Sequence, residues 1–389
     1  MFKKSLIAIA ALGALAGSAV AADVTLYGLV DYGFNYQHTD GDVANGEAGD
    51  SFTMRSGMNS GSRFGLKGSE DLGNGMKVGF VLENGFSADD GSLDNDGRLF
   101  GRESQVYLQG DFGTLSFGRV GQLASANGTF SLLGQTSPFS SGWGDSVGQK
   151  FVTATGWARF DNTVTYVSPS FAGFKVHAQY SFKNDSSKEG DEGKSAADRY
   201  YGVAATYTND NLYLVGIVDS INQGKELPYY AGREYESDDQ WTFTLGGNYD
   251  FGFMKVYAMA QYFKDAARLG QKSIRDNGFV SGGYTYAEDA NWRGADGYGI
   301  ALGVGVPCFG GTAKAHLGYM DAEAAGEDAG QKDGGITRWN AAVGYDYNLS
   351  KRTSVYTAAA YTKDDLDGYR GNNSKPSAVE VMAGLIHKF

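Results

Sequence analysis

One cysteine, Cys308, leaves no partner for an intramolecular disulfide, so this fold is not held by oxidative stapling. Only five prolines interrupt the chain, and no stretch offers 18 consecutive apolar residues, which excludes a transmembrane helix. Basic residues are outnumbered 33 to 45, the formal net charge is −12, and no basic stripe exists to displace counterions, so nucleic acid is not a partner. Four histidines, His38, His177, His316 and His387, stand far apart. No G-x-S-x-G elbow, H-E-x-x-H pair or Cys/His metal spacing is present, and no motif asks for a cofactor or a metal.

What is abundant is glycine and aromatic side chains. Glycine accounts for 58 of 389 residues, about twice its usual share. Tyr and Phe number 25 and 23, yet mean hydropathy is −0.34. Alternating strands joined by long polar loops produce this mixture. The first 21 residues stand apart. Lys3 and Lys4 precede an apolar core from Leu6 to Leu15, and Ser18-Ala19-Val20-Ala21 supplies a small-residue cleavage site. This reads as a secretory leader removed after Ala21, which takes the net charge from −12 to −14 with its two lysines.

Beyond it the pattern has period two. In 24–36, Val24, Leu26, Gly28, Val30, Tyr32, Phe34 and Tyr36 share one face against Thr25, Tyr27, Leu29, Asp31, Gly33 and Asn35. The same alternation recurs in 174–183, 241–249, 298–306, 313–319, 339–347 and 378–389. These runs are near ten residues, the length a tilted strand needs to cross a bilayer. Strands of a soluble sandwich, the competing architecture, average ~5–6. Short turns at 71–75, 111–113, 168–173, 209–211, 250–252, 307–311 and 348–351 alternate with long loops at 38–50, 87–97, 120–155, 184–198, 221–239, 265–297, 322–336 and 363–377. Eight long and seven short connections join sixteen strands and put both termini on the short-turn side. We therefore expect an all-β, 16-stranded antiparallel transmembrane β-barrel as one domain over 22–389, its turns periplasmic and its loops external. Sixteen strands enclose water where eight would close on their own side chains.

At this point the chain resembles the Gram-negative general porins of the Neisseria, Burkholderia and Comamonas type. The matching segments are Val24-Thr-Leu-Tyr-Gly28, Gly61-Ser-Arg-Phe-Gly-Leu-Lys-Gly-Ser-Glu-Asp-Leu-Gly-Asn-Gly75, Arg98-Leu-Phe-Gly-Arg102 and Asp111-Phe-Gly-Thr-Leu-Ser-Phe-Gly-Arg119. Arg159-Phe-Asp-Asn162, Ser168-Pro-Ser-Phe-Ala-Gly173 and the terminal Leu385-Ile-His-Lys-Phe389 complete the set, in the family's order. A terminal Phe closing an alternating strand also fits a recognition tail for barrel assembly.

The resemblance implies a general diffusion porin of the outer membrane, a homotrimer in contact with lipid and lipopolysaccharide. It passes small hydrophilic solutes and ions through a constriction made by the third long loop, here 120–155. That loop carries Phe130, Leu132, Leu133, Phe139 and Trp143, too many large apolar groups for a loop in water. The family's wall arginines correspond to Arg63, Arg102 and Arg159. Alternation turns Arg63 inward, opposite to Phe64 and Leu66, and Arg159 inward, opposite to Phe160, Val164 and Tyr166. Arg102 conflicts, sharing a face with Val106 and Leu108 unless a bulge intervenes near Gly101. Lys67, Lys77 and Lys175 are further lumen candidates. The loop offers one acid, Asp145, against one base, Lys150, so its transverse field is weak and mild anion selectivity is expected. Most acids fall in external loops, among them Asp89, Asp90, Asp94, Asp96, Glu236, Asp238 and Asp239, where they are solvated or bridged by divalent cations to lipopolysaccharide. A substrate-specific channel and a host-binding surface remain as alternative roles.

Overall fold

The computed structural model describes residues 24–40, 49–154, 158–188, 190–224, 238–270, 272–273, 294–324, 335–367 and 375–389. The segment read as a leader lies outside them, as do parts of the loops read at 38–50, 221–239, 265–297, 322–336 and 363–377. The strands are β1 (Thr25–Thr39), β2 (Gly49–Ser56), β3 (Arg63–Gly73), β4 (Met76–Gly85), β5 (Glu103–Gly110), β6 (Gly113–Gly121), β7 (Arg159–Val167) and β8 (Phe174–Ser181). They continue with β9 (Arg199–Thr208), β10 (Leu212–Asn222), β11 (Gln240–Asp250), β12 (Lys255–Lys264), β13 (Arg268–Leu269) and β14 (Lys272–Ser273). The last five are β15 (Ala295–Cys308), β16 (Gly311–Ala324), β17 (Gly335–Asn348), β18 (Thr353–Asp367) and β19 (Ser377–Lys388).

Apart from β2 and β3, which both pair with β1, every wall strand pairs antiparallel with the next one along the chain, and β1 returns to pair with β19, which closes the sheet. β2 and β3 fill a single place in the wall. Residues Tyr32–Thr39 of β1 face β2 and residues Thr25–Leu29 face β3. With β13 and β14 forming a separate two-residue hairpin, the wall has sixteen places. Closure gives each backbone N–H and C=O of the wall a partner within the sheet, which hydrocarbon cannot supply.

Alternation sorts the side chains as expected. On β11, Phe243 and Leu245 are 46% and 70% exposed, whereas the alternating Thr242 and Thr244 are each 1% exposed. Ile300, Leu302, Leu317, Trp339 and Val343 repeat the outward apolar face on β15 to β17. Phe112, Phe171, Phe251, Phe253 and Phe309 project from the short turns, forming an aromatic rim at that end of the lipid face. The tightest turns are two-residue hairpins. Asn74-Gly75 has φ of 52° and 74°, the mirror-image turn that matches strand twist and suits Asn-Gly.

The strands run a few residues beyond several of the expected loop borders. His38, read as a loop residue, belongs to the end of β1, with Nδ1 2.9 Å from Asp50 of β2. The interruption at 57–62 was not expected. There the chain leaves the wall inward. Met58 is buried with Leu29, Trp143 and Tyr356, and Asp31 Oδ2 accepts the amides of Asn59 and Ser60 at 2.8 and 2.7 Å.

Candidate functional site

The loop 120–155 leaves β6 and meets inward-facing side chains along most of the far wall. Tyr213 Oη donates to Leu132 O at 2.9 Å, and Asn248 Nδ2 donates to Gln135 O at 2.7 Å. Gln261 Oε1 accepts from Ala154 N at 2.8 Å, and Arg338 Nη1 donates to Phe151 O at 3.0 Å. Asn340 Nδ2 donates to Ser146 O, and Glu380 accepts the Asp145 amide at 3.0 Å. These wall residues belong to strands from β10 to β19 and lie on the face opposite the outward apolar groups. The loop's apolar side chains explain why it stays there. Leu123, Leu133 and Val152 are fully buried in a cluster with Val215, Met259, Phe263 and Met320 of the wall. Phe139 and Trp143 pack edge-on at 5.0 Å, and Trp143 reaches Tyr356 of β18 at 5.4 Å. Gln122 ties the loop's two ends together. Its backbone N–H donates to Ala158 O, its Oε1 accepts from Ala158 N, and its Nε2 donates to the buried Asp219.

The three arginines singled out from the sequence come together on the opposite wall. Arg102 Nε lies 2.7 Å from Glu83 Oε1, and Arg63 Nη1 lies 3.9 Å from the same oxygen. Arg159 stands in electrostatic reach of Arg102, Glu83, Arg119 and Glu103. Tyr27 Oη donates to Glu83 Oε2 at 3.0 Å, and Lys67 stands over the Tyr27 ring at 5.2 Å, so Lys67 borders the group. Glu103 holds the near end of the loop through Thr129 N and Oγ1. Three guanidinium groups thus face two wall carboxylates, so the wall itself contributes one more positive than negative charge, while Asp94 of the second long loop lies within electrostatic reach of Arg102 and Arg159.

Asp145 is not part of this group. Arg55 of β2 takes it in a bidentate pair at 2.5 and 3.1 Å, with Gln37 Nε2 at 2.7 Å. Burial works against the Asp145 charge, but the hydrogen bonds and charge of Arg55 outweigh it and hold the carboxyl below its usual range. Burial pushes the Lys150 ammonium down to about 8, against the pull of Asp145 and Glu380.

Two parity arguments need correction. Arg102 escapes its conflict without a bulge at Gly101, because it precedes β5, whose alternation begins only at Glu103. Phe160 does not face outward. It is 5% exposed and packs tilted against Tyr200, ring centroids 4.8 Å apart, because the β6–β7 register shifts between Gly118 and Val120 while Asn162 takes φ of 50°. Alternation across that irregularity therefore says nothing about Arg159. His177 and His316 lie on the inner face as read, both buried. The sequence reading missed Arg55, Glu83 and Glu103. Glu83 could have been found, since alternation opposes it to Val78, Phe80 and Leu82. A second charged network was also missed: Asp161 accepts from Arg98 at 2.7 Å and from Arg119 at 2.5 Å, joining β7 to the turn before β5 and to β6.

This geometry agrees with what the chain is similar to. Residues 8–367 match the family model described as Gram-negative porin. An outer membrane porin protein of Bordetella pertussis is 32% identical over 409 residues, and outer membrane porin protein 32 of Delftia acidovorans is 30% identical over 403, each match covering all of both chains. Among solved structures, the anion-selective porin from Comamonas acidovorans superposes with a TM-score of 0.62 at 26% identity, over 95% of this chain and all of that one. A closed sixteen-place barrel, a water-facing interior and a family match over nearly the whole length converge, and the chain belongs to the Gram-negative porin family of the outer membrane.

Proposed function

We propose that this diffusion porin discriminates by charge as well as by size, passing small hydrophilic solutes with a mild preference for anions. The carrying observation is the group of Arg63, Arg102 and Arg159 against the two wall carboxylates Glu83 and Glu103, with Asp94 reaching it from the second long loop. Asp145, the one acid of the loop 120–155, is spent on Arg55 and does not offset the arginine group. Low-dielectric walls focus the field of a fixed charge into the water between them, so a wall guanidinium at a narrow point changes the local ion ratio. The anion selectivity of the Comamonas acidovorans relative supports the same sign. A zero-current potential in a KCl gradient tests the reading: a sign reporting faster chloride is expected, and a cation preference overturns it.

The reading includes a channel role in place of an enzymatic one, assayed by phospholipid and peptide hydrolysis on the pure protein. It also includes a homotrimer, supported by the family and by the broad apolar outer face, and tested by conductance steps in groups of three. External acids such as Asp89 and Asp90 are read as solvated or bridged through divalent cations to lipopolysaccharide; Asp94, expected with them, is instead part-buried within electrostatic reach of Arg102 and Arg159, and Glu236 lies outside the described residues.

A further inference from the structure

The loop 120–155 does not close against the wall everywhere. Between its segment 131–135, strands β8 to β10 and the short turn 168–173 lies a cavity of about 510 Å³. It opens beside a short turn, hence on the periplasmic side. Ser131 of the loop, Ser170 of the turn, and Lys175, His177, Thr206 and Thr208 of the wall line it. None of Arg63, Arg102 and Arg159 does. Tyr213 Oη, committed to Leu132 O at 2.9 Å, fixes the loop segment that roofs the space.

The lining has a consistent chemistry. Lys175 is exposed, and among the described residues no carboxylate pairs with it. His177 is 6% exposed, with Nε2 3.2 Å from Thr206 Oγ1, while its Nδ1 has no hydrogen-bond partner. No Asp or Glu lines the cavity. Ser131 Oγ is already held by Asn127 O and Ser125 Oγ, and Thr206 Oγ1 by His177, which leaves the Lys175 ammonium with the Ser170 and Thr208 hydroxyls to suit a ligand carrying one carboxylate and several hydroxyl groups. The volume falls within the ~300–1,000 Å³ of small-molecule sites.

We propose that this side pocket is a subsite for small polyhydroxylated carboxylates, of the sugar-acid or hydroxy-acid class, at the periplasmic end of the pore. Lys175 takes the carboxylate in a charge-assisted hydrogen bond, and the Ser170 and Thr208 hydroxyls meet the ligand's own. Such a site holds solute beside the passage without plugging it, so occupancy lowers the ion current and does not stop it. The proposal rests on the channel reading above.

The test uses the full mature porin in a planar bilayer in KCl, with sodium gluconate added on the periplasmic side. A saturable reduction or added noise in the open-channel current is expected. Sorbitol, which has the hydroxyls without the charge, and acetate, which has the charge without the hydroxyls, should each act about tenfold more weakly, as loss of a charged hydrogen bond or a set of neutral ones implies. Lys175→Met should raise the half-saturating gluconate concentration by about tenfold, while Arg63→Gln should not abolish the response. An open KCl channel indifferent to gluconate, or a response that K175M preserves and R63Q abolishes, overturns the subsite and leaves the channel reading intact. Absence of any conductance overturns both. Should K175M fail to assemble, the wild-type comparison of gluconate, sorbitol and acetate decides alone, and equal effects reject the proposal.

Discussion

The Nε of Arg102 donates to Oε1 of Glu83 at 2.7 Å, across two adjacent strands' ends, so a wall carboxylate restrains the arginine group from within. Removing that restraint should sharpen selectivity. Glu83→Gln adds one positive charge to the balance of the group. A unit charge at ~8 Å in water is worth about 0.5 kcal/mol to each ion, favourable to chloride and unfavourable to potassium. The chloride-to-potassium permeability ratio should therefore rise several-fold, and Arg63→Gln should lower it by a similar factor. Reversal potentials in graded KCl measure both.

Arg338 and Asp364 form a bidentate pair with side chains 1% and 0% exposed, and the same guanidinium donates to Phe151 O of the loop. Arg338→Met leaves a buried carboxylate unpaired and should cost about 3–5 kcal/mol. The double variant R338M/D364L, which removes both charges, should recover most of this loss. The temperature at which gel migration shifts from the folded to the unfolded form reports the difference.

The Lys150 ammonium, held near 8 by burial, gives the loop a pH response. Below that value the group is protonated and adds a positive charge beside Arg55 and Asp145; above it the charge is lost. Anion preference should accordingly fall as pH rises from 7 to 9. Lys150→Gln should show the lower preference already at pH 7 and a flat profile across that interval. Reversal potentials at each pH, with the same salt gradient, check this.

Trp143 is 3% exposed, packed between Phe139 and Tyr356, with Lys314 Nζ 4.8 Å over its ring. Trp143→Ala should remove about 3–5 kcal/mol of packing from the loop. We expect a noisier open channel and faster liposome swelling with sugars near the size limit. Trp143→Phe should restore most of the barrier.

The wall was legible because the bilayer imposes one rule on every residue of every strand: outward positions meet lipid and inward positions meet water or the loop. Leu245 and Thr244 obey it, and so do Leu317 and His316. The rule fails where the chain leaves the ladder. The interruption from Gly57 to Ser62 could not be read, because nothing local reveals that β2 and β3 both pair with β1. Phe160 was misread because a left-handed Asn162 resets the alternation two residues on. Within the site, arginines carried a motif and were found, whereas Glu83 and Glu103 carried none. Which charge pairs with which depends on contacts across strands, and Arg55 taking Asp145 from β2 could not be read from spacing.

The pairing of β1 with β19 has a consequence for how this wall comes into being. Gly28 and Phe389 exchange both backbone hydrogen bonds, and Leu29 stands opposite Lys388. The first and last strands of the wall are thus each other's neighbours, so a sheet that lacks either one has two open edges. Closure therefore cannot precede β19, and until then something other than the protein's own hydrogen bonds must keep those edges from joining other chains.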